Sequence, residues 1–324
     1  MEQHRITPLT ESGMLVALSV VMALGALCLP VVGVILALLY ALPILVLVVR
    51  HGMRWAVMAA ATSAVLMAAL IEPMVSLRMA ISFTPTGLAL GIGFRRRWGG
   101  VRVFVLALAV SILAKLAALG LLFAVTGVNP LNMELEAVQQ TFDASFQMYE
   151  GMGVSGEAID KSRAQIGEGL QFVSMLLPLV VAMMGLLDTA IGYFVGGRVL
   201  RRLGHETPAL PPFAAWRLPQ VFLYVFGFAL VGLYWGTTRD IKMLYQAALN
   251  LNMLAIFAGM IEGLSLMSYV MDRYRLSRLI RVPIYAMVVL NGTLAQILAF
   301  AGLFDMLFDY RRRFGKKDGT DKRS

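Results

Sequence analysis

Long apolar runs separated by arginine clusters are what most restricts this chain. Arg50/Arg54, Arg95 to Arg97, Arg198 to Arg202, Arg273 to Arg281 and Arg311 to Lys317 each close or open such a run. Many of the runs reach the ~20 residues that carry a helix across a bilayer. No water in lipid satisfies backbone N–H and C=O groups, so such runs fold as helices. The expected fold is therefore an all-α polytopic transmembrane bundle. Arginine clustered in alternate connections places those connections at the cytoplasmic side. Of 324 residues, 59% are apolar and 15% charged, where soluble domains carry about 25% charged residues. Length here counts spans, not soluble domains. The net charge of +9 sits in the inter-run clusters, which suits lipid headgroups and argues against nucleic acid.

Taken in order, residues 1–11 form a polar leader. Eight spans follow, at about 12–29, 34–49, 55–70, 76–94, 101–125, 171–197, 218–236 and 243–271. Pro43 is expected to kink the second, because it removes a backbone donor. Residues 282–308 read either as one long span or as two helices. One span would place Arg311 to Arg313 outside, and Asn291-Gly292 is a break signal, so a hairpin is expected. The chain divides into a five-span region (1–127), an acidic extracytoplasmic segment (128–170), a second membrane region (171–314) and a basic tail (315–324). Leu131, Leu135, Val138, Phe142, Phe146, Tyr149 and Met152 make an apolar stripe at helical spacing in the acidic segment, as on a lid or a membrane-surface helix.

The stretch from Trp55 to Trp98 carries the densest set of features. Ala56, Ala60, Ala64 and Ala68 fall four residues apart, a small-residue ridge on which helices pack closely in lipid. Thr84-Pro85-Thr86-Gly87 then signals a helix break. Glu72 and Arg78 flank the outer turn, as a headgroup-zone pair or the lining of an outward-facing pocket.

Ionisable residues inside spans are functional candidates, because burying charge in lipid is costly. Lys115 lies ~21 Å into the fifth span, and Asp188 and Glu262 each lie ~15 Å from a basic end. All three are expected near mid-bilayer, as a salt-bridged core or a polar substrate or proton site. Asn250 is ~18 Å further along the helix of Glu262. His4, His51 and His205 are scattered, no His/Asp/Glu spacing suggests a metal, and the lone Cys28 permits neither a disulfide framework nor a cysteine metal site. Gly151 to Gly156 has phosphate-loop spacing, but Glu157 stands where lysine is needed. No enzyme and no cofactor are expected, and any ATP-driven work needs a partner. Hydrophobic sequence continuing past Pro30 is unlike a cleavable signal peptide. The expected address is a bacterial cytoplasmic membrane, crossed many times.

The TESGMLVALSVVMAL opening, the RRRW after span four, the acidic outer segment and the closing LNGTLAQILAFAGLFDMLFDYRRR together resemble the YybS-like family of bacterial membrane proteins. That family is distantly similar to the substrate-binding S components of energy-coupling factor transporters. The resemblance implies a subunit that binds a small molecule from outside and docks on a transmembrane coupling subunit with ATPases. In S components the docking alanine ridge is on the first helix; here it lies in span three, and this chain is longer. The alternatives are a proton-coupled secondary transporter using Asp188 and Glu262, or a non-transporting scaffold or regulator.

Overall fold

The computed structural model describes residues 8–127, 130–152 and 155–312. All regular structure among them is helical. Thirteen α-helices follow in order among the described residues: α1 (Pro8–Cys28), α2 (Pro30–Leu39), α3 (Ala41–Arg50), α4 (Met53–Leu70), α5 (Pro73–Arg95), α6 (Gly100–Thr126), α7 (Pro130–Gly151), α8 (Gly156–Met175), α9 (Leu177–Arg202), α10 (Val221–Thr238), α11 (Lys242–Arg273), α12 (Arg278–Leu290) and α13 (Gly292–Phe308). Among the described residues eight spans are long and apolar enough to cross a membrane, with α2 and α3 counted as one, and nine if the bent pair α12 and α13 is also one span.

The chain forms two compact units, Met1–Leu210 and Pro211–Ser324. This division differs from the expected boundary at residue 171. The reason is α9, which packs on α6, α5 and α3 and so belongs to the first unit.

In the first unit α3 is the central element. Every residue from Ala41 to Val48 is buried, the pattern of a helix surrounded on all sides. Leu45 and Val46 pack with Leu90 and Phe94 of α5, Val103 of α6 and Tyr193 and Leu200 of α9. Ile44, Leu47 and Val48 meet Val16 of α1 and Ala56, Ala59 and Ala60 of α4. The Trp55–Trp98 stretch therefore wraps α3 rather than forming the centre itself. Pro43 acts one turn before its own position. Without its N–H, the carbonyl of Leu39 loses its helical donor, and the second span breaks at Tyr40 into α2 and α3. Pro85, expected at a break, lies instead inside the continuous α5; neighbouring helices make proline tolerable inside a membrane helix.

The alanine ridge is used within the chain. Ala56 and Ala60 are buried against α1 and α3, while Ala64 and Ala68 are half-buried. Ser76 Oγ of α5 donates to the Ala64 carbonyl at 2.6 Å, so α4 and α5 approach closely here. Ala56 and Ala60, expected on a docking ridge, are covered here by α1 and α3 of their own unit.

α7 and α8 pair with each other. Arg163 bridges to Asp143 at 3.4 Å and lies over the Phe146 ring. Phe146 and Ile159 are buried, while Phe142, Tyr149 and Met152 remain exposed. The stripe positions Leu131, Leu135 and Val138 lie outside the residues whose side chains are described.

In the second unit α10, α11 and α13 pack together, and α12 meets α13 at a bend of 100°. The expected break at Asn291-Gly292 is thus present, as two helices meeting at that bend. The Asn291 side chain accepts from the N–H groups of Thr293 and Leu294, capping α13 where the chain turns. α11 and α13 touch through glycine. A Cβ at Gly302 would fall on the Gly259 carbonyl and the Gly263 nitrogen. Gly259 and Gly263 form a GxxxG spacing, which permits this backbone approach.

Candidate functional site

Lys115 of α6 and Asp188 of α9 meet inside the first unit. Lys115 Nζ donates to Asp188 Oδ2 at 3.1 Å, to Ser111 Oγ at 3.1 Å and to the Ser82 carbonyl at 3.4 Å. Ser111 Oγ donates to the same Asp188 Oδ2 at 2.9 Å. The ammonium also lies 4.9 Å from the centroid of the Phe83 ring, within cation–π range. Asp188 is 0% exposed and Lys115 8%, so this is a desolvated pair. One turn of helix between Ser111 and Lys115 places both on the face of α6 that meets α9.

The centre is asymmetric. Both donors crowd Asp188 Oδ2, and Asp188 Oδ1 has no hydrogen bond. The buried hydroxyls of Thr84, Thr86 and Thr189 also lack a partner of good geometry. Thr86 lies beside the Asp188 carboxyl, and Thr84 beside the phenol of Tyr40. The Tyr40 hydroxyl itself donates to Met67 Sδ at 3.6 Å.

Glu262 joins a different centre, in the second unit. Its Oε1 accepts from Arg311 Nη2 at 2.7 Å, and its Oε2 accepts from the Leu218 N–H at 2.8 Å. Arg311 Nε donates to Asp305 Oδ2 at 3.1 Å, and Nη1 to the carbonyls of Ala214 and Trp216. Arg311 is 4% exposed. Arg311, read in the sequence only as part of the basic cluster Arg311 to Lys317, is thus buried together with Asp305. The forked guanidinium suits the task, because it ties two carboxylates and two carbonyls at once. Asn250 is half-buried on α11, and its amide donates to the Gln246 carbonyl. The expected common centre is therefore divided: Lys115 and Asp188 are brought together, and Glu262 takes Arg311 instead. Glu72 stands exposed at the start of α5, with Arg78 half-buried further along.

A third cluster went unseen in the sequence. Glu11, assigned to the polar leader, lies in α1 and is buried. Its carboxylate takes Arg50 Nη1 on one oxygen and His51 Nε2, at 2.7 Å, on the other. Pro8, a favoured first-turn residue, was the available signal that the helix extends this far back. The GxxxG of α11 was equally legible. The burial of Arg311 was not, because one arginine in a basic run reads like its neighbours.

Apolar side chains exposed on these helices, such as Phe228, Tyr234, Leu279 and Leu290, and buried ion pairs within them define an integral, multi-pass membrane protein. The chain belongs to the family described as "Predicted membrane protein (DUF2232)", whose model matches residues 17–306. It is also similar to the Uncharacterized protein YybS of Bacillus subtilis (strain 168), at 24% identity over 307 residues. That match covers 94% of this chain and 97% of the relative. No solved structure matches.

Proposed function

We propose that the first unit binds a small polar molecule at the Lys115–Asp188 centre. On this reading the chain acts as a non-enzymatic, S-component-like substrate-binding subunit for uptake across a bacterial cytoplasmic membrane. The observation that carries it is the unfilled hydrogen-bonding capacity of a desolvated ion pair: Asp188 Oδ1 accepts no hydrogen bond of good geometry. An ion pair that served packing alone would gain from satisfying both carboxylate oxygens, since each orphaned polar group costs ~1–3 kcal/mol. A ligand bearing N–H or O–H donors recovers that cost on binding. Intramembrane charges that face a bundle interior are where transport proteins hold substrate.

The proton-relay reading has less support. Asp188 is held by Lys115, and Glu262 by Arg311, so each carboxylate already has a fixed cation. The resemblance to S components adds the expectation of a transmembrane coupling subunit and ATPases as partners.

The test is purification of the tagged full chain in lipid nanodiscs, with mass spectrometry of copurifying proteins and small molecules. A coupling subunit with ATPases, or a stoichiometric small polar molecule, supports the proposal. An empty chain accompanied only by proteins unrelated to transport overturns it and favours the scaffold.

A further inference from the structure

At the arginine-rich end of the first unit, the α3–α4 turn and the last turn of α5 enclose a cavity of about 600 Å³, within the range of small-ligand sites. Its floor is apolar, from Val48 and Ile92, and its rim carries Arg54, Arg95 and Arg96 with Trp55 alongside. Gly52 makes the turn at φ +98°, and a Cβ there would strike the Arg95 guanidinium. Glycine is what lets Arg95 cross the turn. Arg95 Nη1 donates to the Val48 carbonyl at 3.1 Å, which holds one edge of the guanidinium and leaves its other donors for a ligand.

The charge balance at this cavity is uneven. The nearby carboxylate, Glu11, is already taken by Arg50 and His51. Among the described residues none of Arg54, Arg95 and Arg96 has an ion-pair partner, although Arg96 lies 5.7 Å from the Trp98 ring. Three cations thus surround a concave site with no counter-charge of their own. The first turn of α4, which has no side-chain cap, opens onto the same space.

We propose that this cavity binds a phosphate-bearing group. Guanidinium forks match phosphate oxygens bidentately, and basic pockets between membrane helices are suited to anionic headgroups. Trp55 at the rim is placed as interfacial tryptophans are, with an apolar body and a polar edge. The phosphate comes either from an anionic lipid of the surrounding leaflet or from a soluble phosphate compound.

The experiment uses the delipidated full chain and a variant carrying Arg54→Gln with Arg96→Gln, which spares the Arg95 contact to α3. Arg202→Gln, on an exposed arginine outside the cavity, is the control. Native mass spectrometry measures retention of added phosphatidylglycerol against phosphatidylcholine, and calorimetry measures binding of inorganic pyrophosphate. Each arginine lost should weaken anion retention about fivefold at low salt. Phosphatidylglycerol retained by the parent and control but lost in the variant supports the site with lipid as its source. Pyrophosphate binding lost in the variant supports it with a soluble source. If parent, variant and control retain both probes equally, or the parent binds neither, the inference is overturned. Equal melting of the three chains confirms that the comparison is between folded proteins.

Discussion

Lys115→Met should be among the most damaging single substitutions in the first unit, and adding Asp188→Leu should largely repair it. At 3.1 Å and an effective dielectric of about 20, the pair attracts by ~5 kcal/mol. Desolvation of two buried charges offsets much of this, so a well-packed apolar pair is expected to be roughly equal in stability. Removing only the lysine is different. Asp188, at 0% exposure, then keeps its desolvation cost and loses both the ammonium and its hydrogen bond. The expected loss is ~3–5 kcal/mol, and the double substitution should return to within about 1 kcal/mol of the parent. Thermal unfolding in nanodiscs, followed by tryptophan fluorescence, measures both. The reasoning is refuted if Lys115→Met melts like the parent, or if the double variant is no more stable than the single.

Three further outcomes follow from the second unit. Gly302→Ala forces a methyl onto the Gly259 carbonyl and the Gly263 nitrogen and should cost ~1–3 kcal/mol by overpacking, read as earlier melting of α11 and α13 by hydrogen exchange. Arg311→Lys should destabilise nearly as much as Arg311→Met, because an ammonium cannot span Glu262, Asp305 and two carbonyls; thermal melts of both variants check this. At Asp309, slight burial raises the carboxyl, while the hydrogen bond and charge of Arg217 with the Arg312 N–H outweigh it and hold the group below its ordinary range. A depressed folded value means that the contact contributes above the ordinary carboxylate pKa of ~3.9 and is lost as pH falls through the lower folded value. Exchange protection of the Arg312 amide should therefore drop at acid pH in the parent and stay flat in Asp309→Asn.

Spans were legible because length and hydropathy alone set them: α6, α10 and α11 begin and end within a few residues of the apolar runs. The break between α12 and α13 was legible from Asn291-Gly292. Pairings were not, because periodicity does not say which helix a face meets. Lys115 and Asp188 share mid-span depth with Glu262, and depth alone could not separate partners 73 residues apart from a carboxylate served by Arg311. Ala56 and Ala60 advertised close packing but not whether the partner was their own chain. The unpaired Asp188 Oδ1 depends on side-chain geometry that no motif records.

The most direct measurement of the central claim is native mass spectrometry of the full chain from nanodiscs, beside the Lys115→Met/Asp188→Leu variant once it is shown to be folded. A stoichiometric small polar molecule on the parent and its absence from the variant is the predicted result. A parent without any such molecule, or one retained equally by both proteins, contradicts a binding centre at Lys115 and Asp188.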